Sequence, residues 1–317
     1  MSSNILFCTE KWCAGRPDLG LTISFQHLFD TFSRCYPEQK YNTIHLDEAG
    51  TVYNTHVDEI LIKYCMAWNV EIIIFSLLGD APVNPTLKTY KALKDLGIYT
   101  CFMWPDTNVS SLNTINGLQG LSDLHVSLDN PASEAHDGLK KLNNHIGLWT
   151  AKDSNLYYNQ EGKDINVSFV GSTVYPDRIH FLQYLKDSVL DIHIGGGQRE
   201  EKLTRDKYAD LIRRSKIGIN FAISPDQTFY QTKGRVFEIM LSGSMLLEFK
   251  NPATSRLFTP DVDYVEFSDK EDLLDKIKYY LGNEDERLKI AEQGYRTCRE
   301  KYSPQIFWDT VMDRVKC

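Results

Sequence analysis

The sequence is short of the features that would place it in several large classes. No apolar run reaches the roughly 18 residues that cross a bilayer, so no transmembrane segment is expected. Residues 1–8 carry neither a basic n-region nor a long apolar stretch, so no secretory signal is read there and a cytoplasmic location is the expectation. Basic residues do not dominate: the net charge is −8, which speaks against a broad nucleic-acid surface while leaving room for a local patch. The seven cysteines are irregularly spaced and include no Cys-x-x-Cys pair, so neither a zinc ligand set nor a disulfide framework is indicated. Reduced thiols are the simplest account. Gly-x-Gly-x-x-Gly is missing, which removes the dinucleotide fingerprint. There is no low-complexity segment.

What is present is an ordinary globular composition, 42% apolar and 25% charged, over 317 residues, long for one domain and comfortable for two. Apolar runs alternate with helical periodicity. Strands are expected at 4–8, 41–46, 71–78, 99–103 and 123–128, with helices at 21–32, 57–68 and 86–96 between them. Residues 130–165 lose the period, apart from a short run at 146–149. The pattern restarts with strands at 165–170, 191–194, 217–221, 245–249 and 264–267, and helices at 179–185, 208–215 and 236–241. Ser268-Asp269-Lys270-Glu271 matches a capping box, Asn283 to Glu286 repeats the device, and Pro304 opens a last helix. The reading is two Rossmann-like doubly wound α/β domains, 1–155 and 156–317, with the last helix able to reach back and brace the first.

In doubly wound sheets, ligands sit at the carboxyl ends of strands. The stretch that best fits such a site runs from Gln231 to Lys250. Thr232-Lys233-Gly234 reads as a tight loop, followed by a short apolar helix and a buried strand. The first amides of a helix lack intrahelical partners and lie at the positive end of its dipole. Lys233 and Arg235 flank them and Gly234 would let a ligand approach, so this is a phosphate seat in outline. Glu238, one turn in, suits sugar hydroxyls better than phosphates. A solvated surface helix is the competing reading. Gly171-Ser172, the Gly195-Gly196-Gly197 run, and Asn220, Ser224, Asp226 and Tyr230 around the next loop are further candidates. In the first half, Trp12, Gly15, Arg16 and Asp18 lie in the loop after the first strand, Asp106 just past another, and His125 inside one. Each has a structural alternative: a floppy loop, a turn cap, or a core histidine.

The segments Val167 to Ser172, Lys233 to Glu238, Gly243 to Leu247, Asp263 to Phe267 and the Glu286 to Tyr295 run resemble nucleotide-sugar glycosyltransferases of the GT-B fold, specifically the spore-maturation CgeB-like group. The resemblance covers roughly residues 150–305. It implies two Rossmann-like domains facing across a cleft, with a nucleotide-diphosphate-sugar donor bound mainly by the second. It places the diphosphate near Gly171-Ser172 and the Thr232 to Arg235 helix start, with Gly196, Asn220 and Tyr230 close by. Arg178 and Lys233 would neutralise it, Glu238 would hold the ribose hydroxyls, and these three are the expected catalytic set. No cofactor and no bound metal are implied. The acceptor, with Trp12, Gly15, Arg16, Asp106 and His125 on its side, could be a glycan, protein, small molecule or nucleic acid. Related retaining enzymes carry two glutamates separated by seven residues. Here Tyr230 stands eight before Glu238, so the earlier glutamate is missing. Transfer of a hexosyl or pentosyl group with retention is the expectation. A nucleotide-sugar epimerase, a catalytically silent GT-B-like binder, and a modified DNA base as acceptor remain as alternatives.

Overall fold

A computed structural model describes residues 4–316, apart from 13–14, 23–24, 78–80, 108, 130–136, 174, 189–190, 197–202 and 222–229. The chain forms two compact units, Met1–Ala151 with Pro304–Cys317, and Lys152–Ser303. Gly197, Ser224 and Asp226, singled out from the sequence, lie outside the described residues.

The first unit holds β1 (Ile5–Thr9), β2 (Tyr41–His45), β3 (Ile72–Ser76), β4 (Tyr99–Trp104), β5 (Leu124–Ser127) and β6 (His145–Gly147). They form one parallel sheet in the order β2-β1-β3-β4-β5-β6. Every residue of β3, Ile-Ile-Ile-Phe-Ser, is buried, as a strand covered on both faces requires. Strand order reverses between β1 and β3, which makes the carboxyl ends of those strands the favoured ligand position in this unit. The helix Pro304–Lys316 belongs here. Its Trp308 is fully buried, meets Phe7 and Phe32 edge to face, and donates from Nε1 to Thr31 Oγ1 at 3.0 Å. The boundary therefore falls at 151/152 instead of 155/156, and the last helix is part of the first unit's core.

The second unit holds β7 (Ile165–Val170), β8 (Ile192–Gly195), β9 (Ser215–Asn220), β10 (Met245–Phe249) and β11 (Val265–Phe267). The order is β11-β10-β9-β7-β8, again all parallel, and it reverses between β7 and β9. Val167, Phe169, Ile217, Ile219, Met245 and Leu247 make the sheet's share of a core closed by Leu273, Ile277 and Ile290. No helix among the described residues is long and apolar enough to cross a membrane. The five described cysteines are free thiols.

Several local expectations shift. The 21–32 helix is a π-helical turn, Phe25–Phe29, running into Asp30–Cys35, while Leu21 forms an antiparallel bridge with Trp12. Leu46–Thr51 and Val109–Gly117 are helices that the periodicity does not show. The capping box sits one residue later: Asp269 accepts from Asp272 N at 2.8 Å, and Asp272 accepts from Ser268 N at 2.9 Å. Asn283 gives no side-chain cap to the helix Glu284–Lys301; its amide turns back to Tyr279 O at 2.8 Å.

Candidate functional site

The reversal between β7 and β9 brings the end of β7, followed by Gly171-Ser172, beside the end of β9 at Asn220. Two arginines meet there. Arg178 stands in the first turn of the helix Pro176–Asp187, started by a proline whose missing N–H costs nothing at that position. Its guanidinium donates to Phe221 O at 3.1 Å and Ser172 O at 3.4 Å, spanning the two strand ends, and lies 4.5 Å from the centre of the Tyr175 ring.

Arg235 comes from the opposite side, in the first turn of the helix Gly234–Leu241. It donates to Asn220 Oδ1 at 2.8 Å and Tyr208 OH at 3.3 Å, and lies 5.4 Å from the Phe169 ring centre. Its guanidinium occupies the space where Gly171 lacks a side chain: a Cβ there would lie 2.8 Å from Arg235 Cζ. Gly196, at φ +76, packs against the same backbone, with its Cβ position 3.4 Å from Gly171 N.

Neither arginine makes a direct ion pair with a carboxylate among the described residues. Arg235 reaches Glu238 through Tyr208 and Glu248 through Asn220. Burial and the neighbouring Arg235 push Arg178 down to about 10. Burial also works against the charge of Arg235, but Tyr208 and Glu238 more than offset it and raise its pKa. An anion bound between two half-buried guanidiniums at the strand ends would relieve their mutual repulsion.

Glu238 lies one turn into the same helix and is buried. Lys152, the first residue of the second unit, places Nζ 2.6 Å from Glu238 Oε1, with side chains 2% and 6% exposed. Tyr208 OH donates to the other oxygen at 2.8 Å. Burial alone would raise the Glu238 pKa; the Lys152 ammonium, with Arg235 and the Tyr208 hydroxyl, outweighs it and holds the carboxyl below its usual range. Gly234 serves this pair. A Cβ on it would lie 2.5 Å from Lys152 Nζ, so the room expected for a ligand is taken by the lysine.

Lys233 takes the N-cap position and donates to Gln231 Oε1 at 2.6 Å; the cation paired with Arg178 at the strand ends is Arg235, not Lys233. The Thr232 hydroxyl is buried with no hydrogen-bond partner among the described residues. Tyr230 is half-buried. Glu248 on β10 accepts from Asn220, Asn251 and Thr254, and burial pushes it up to about 8.

Sequence reasoning missed Lys152, Tyr208 and Glu248. Lys152 sits in the 130–165 stretch where the period is lost. Glu248 did leave a signal, a single carboxylate inside the apolar run Met-Leu-Leu-Glu-Phe. The sequence also holds an Asp-x-Asp spacing, Asp261-Val262-Asp263. It builds a turn: Asp263 accepts from Thr259 N at 2.8 Å and Thr297 Oγ1 at 2.6 Å. Among the described residues no group of three His, Cys, Asp or Glu could hold a metal ion.

In the first unit the expected residues do not assemble a comparable site. His125 is a core residue, 1% exposed, accepting from Trp104 Nε1 at 3.2 Å and bonded to Ser122 Oγ at 2.7 Å. Burial, with His145 beside it, lowers its pKa to about 4, so it is neutral and structural, not a ligand contact. Arg16 is exposed and pairs with Asp18 at 2.6 Å. Gly15 turns at φ +66, and Asp106 is exposed, its carbonyl accepting from Ser111 Oγ. The strand-end loop is instead fastened by Asp47, which accepts from the backbone of Lys11 at 3.0 Å and Trp12 at 2.9 Å.

No curated protein matches the chain significantly. Solved structures do match over its whole length. HepE from Anabaena, in complex with UDP and glucose, superposes at a TM-score of 0.66 with 11% identity, covering 99% of each chain. A glycosyltransferase from Rickettsia africae gives 0.67 and 11%, covering 99% of this chain and 98% of its own. Sucrose-phosphate synthase from Thermosynechococcus elongatus gives 0.64 and 7%, covering 99% of each. Residues 161–313 match the sequence profile of the family described as glycosyl transferase-like. The chain thus has the GT-B fold, two Rossmann-like α/β domains, and its residues 161–313 carry a glycosyl transferase-like sequence.

Proposed function

We propose that the chain is a glycosyltransferase that moves a sugar from a nucleoside-diphosphate sugar to an acceptor. The diphosphate sits at Gly171-Ser172 between Arg178 and Arg235, at the start of the Gly234–Leu241 helix, and Glu238 accepts from hydroxyls of the nucleotide. The observation that carries this reading is the pair of guanidiniums at the β7/β9 reversal, neither with a direct carboxylate partner among the described residues. Leaving-group departure builds negative charge on the diphosphate. Fixed cations and helix amides stabilise that charge without moving, so the reaction proceeds without a bound metal. Attack on the leaving-group face, with retention, follows the family expectation.

Because HepE was solved with UDP and glucose, UDP-glucose is the first donor to try. The test incubates the chain with a panel of nucleotide sugars, with and without candidate acceptors. A thermal shift reports binding, and released nucleoside diphosphate reports turnover. Transfer requires acceptor, whereas epimerisation would convert donor without one. Stabilisation by a nucleotide sugar with no turnover for any acceptor would leave a binding protein. No shift with any nucleotide sugar would refute the reading.

A further inference from the structure

The Glu238 carboxylate is held on both sides, by Lys152 on Oε1 at 2.6 Å and Tyr208 on Oε2 at 2.8 Å. A carboxylate offers about four lone-pair sites, two on each oxygen. Among the described residues one site on each oxygen is left, and the two lie in a plane that the lysine and tyrosine fix. That arrangement matches two hydroxyls on neighbouring carbons. We propose that Lys152 and Tyr208 are positioning residues that orient Glu238 to accept both hydroxyls of a vicinal diol on the donor, an inference that rests on the donor-binding reading above.

Lys152 is placed for this task and for no other visible one. Glu238 is its one polar partner among the described residues, and the absence of a side chain at Gly234 is what admits its Nζ. Burying an ion pair is costly, and an apolar pair of similar volume would stabilise the fold as well or better. A buried pair one turn into the helix that begins the phosphate seat is therefore better explained by recognition than by stability. Lys152 and Tyr157 face Glu238 from the start of the second unit, Tyr208 from the helix Arg205–Arg214, and Arg235 from its own helix. With Lys152 in place the carboxylate stays ionised through mildly acidic pH.

The experiment measures affinities of UDP, ADP, GDP and CDP, each against its 2′-deoxy analogue, by calorimetry at pH 6 and pH 8, with inorganic pyrophosphate as control. The native chain is expected to prefer the ribonucleotide by roughly tenfold to a hundredfold, the loss of one hydrogen bond to a charged acceptor, at both pH values. Lys152→Met moves that ratio towards one. Lys152→Gln keeps an N–H donor but not the charge, so it keeps more of the preference than Lys152→Met does. Both variants still bind pyrophosphate through Arg178 and Arg235. Should Lys152→Met fail to fold, Tyr208→Phe, which deletes a single hydroxyl, decides by the same ratio. A native ratio at both pH values in Lys152→Met, or in Tyr208→Phe where that variant decides, overturns the inference and leaves the donor reading standing. A native chain that binds none of the four nucleotides overturns the donor reading and this inference with it.

Discussion

Substituting Gly171 by alanine acts on the proposed anion seat through one displaced side chain. The new Cβ would lie 2.8 Å from Arg235 Cζ and closer still to Nη2. Non-bonded carbons rest at about 3.5–4.0 Å, so the guanidinium must retreat by about 1 Å. That withdraws it from the 2.8 Å bond to Asn220 Oδ1. Because the clash is with the far end of a flexible side chain, the stability cost falls at the low end of overpacking, about 1 kcal/mol. The binding cost is larger. Losing one charge-assisted contact to a bound anion is worth about 1.5–3 kcal/mol, roughly tenfold to a hundredfold in affinity. Calorimetric titration with inorganic pyrophosphate measures the second effect and urea unfolding the first. If alanine works through Arg235, then Arg235→Met should add little in the Gly171→Ala background, since two changes to one contact are not additive. Native pyrophosphate affinity in Gly171→Ala, or fully additive losses in the double variant, would refute the reasoning.

Glu248 gives a pH test. Its folded pKa, about 8, lies above its ordinary value of 4.5, so the folded state holds the extra proton between those values. The associated stability is complete below about 4.5 and is lost as pH rises through about 8, on the order of a few kcal/mol. Glu248→Gln should therefore gain on the native chain in urea unfolding between pH 6 and pH 9; a constant difference would contradict this. Glu238→Gln leaves Lys152 buried without a charged partner and is expected to lose about 3–5 kcal/mol, most of it recovered by adding Lys152→Met; an unrecovered double variant would show that the pair is not the cause. His125→Ala orphans Trp104 Nε1 and should cost about 1–3 kcal/mol for the lost partner, before any cavity cost, with nucleotide affinity unchanged; a fall in affinity would return His125 to the ligand.

Much of the frame was legible because parallel strands covered on both faces must be apolar throughout. The runs at Ile72–Ser76 and Met245–Phe249 announce themselves in that way. The short helix with Arg235 and Glu238 was legible from its loop, period and stop. Partners brought in by topology were not. Lys152 is 86 residues from Glu238, in a stretch with no period to mark it. Gly171 and Gly234 could be recognised as close-approach positions, but not what approaches them; both admit a cation of this chain. His125 shows the converse error. A histidine inside a strand can be read from sequence as a ligand contact, yet both ring nitrogens are used inside the first unit's core. The final helix was placed in the second domain but read as able to reach back to the first; adjacency in sequence does not say which core Trp308 enters.

The central claim is that the second unit grips a diphosphate between Arg178 and Arg235. A crystal structure with a bound nucleoside diphosphate tests it most directly. The account predicts both phosphates beside Gly171-Ser172, within hydrogen-bonding distance of the two guanidiniums and of the first amides of the Gly234–Leu241 helix. Phosphates bound elsewhere, with Arg178 and Arg235 still facing each other and touching no ligand, would contradict it.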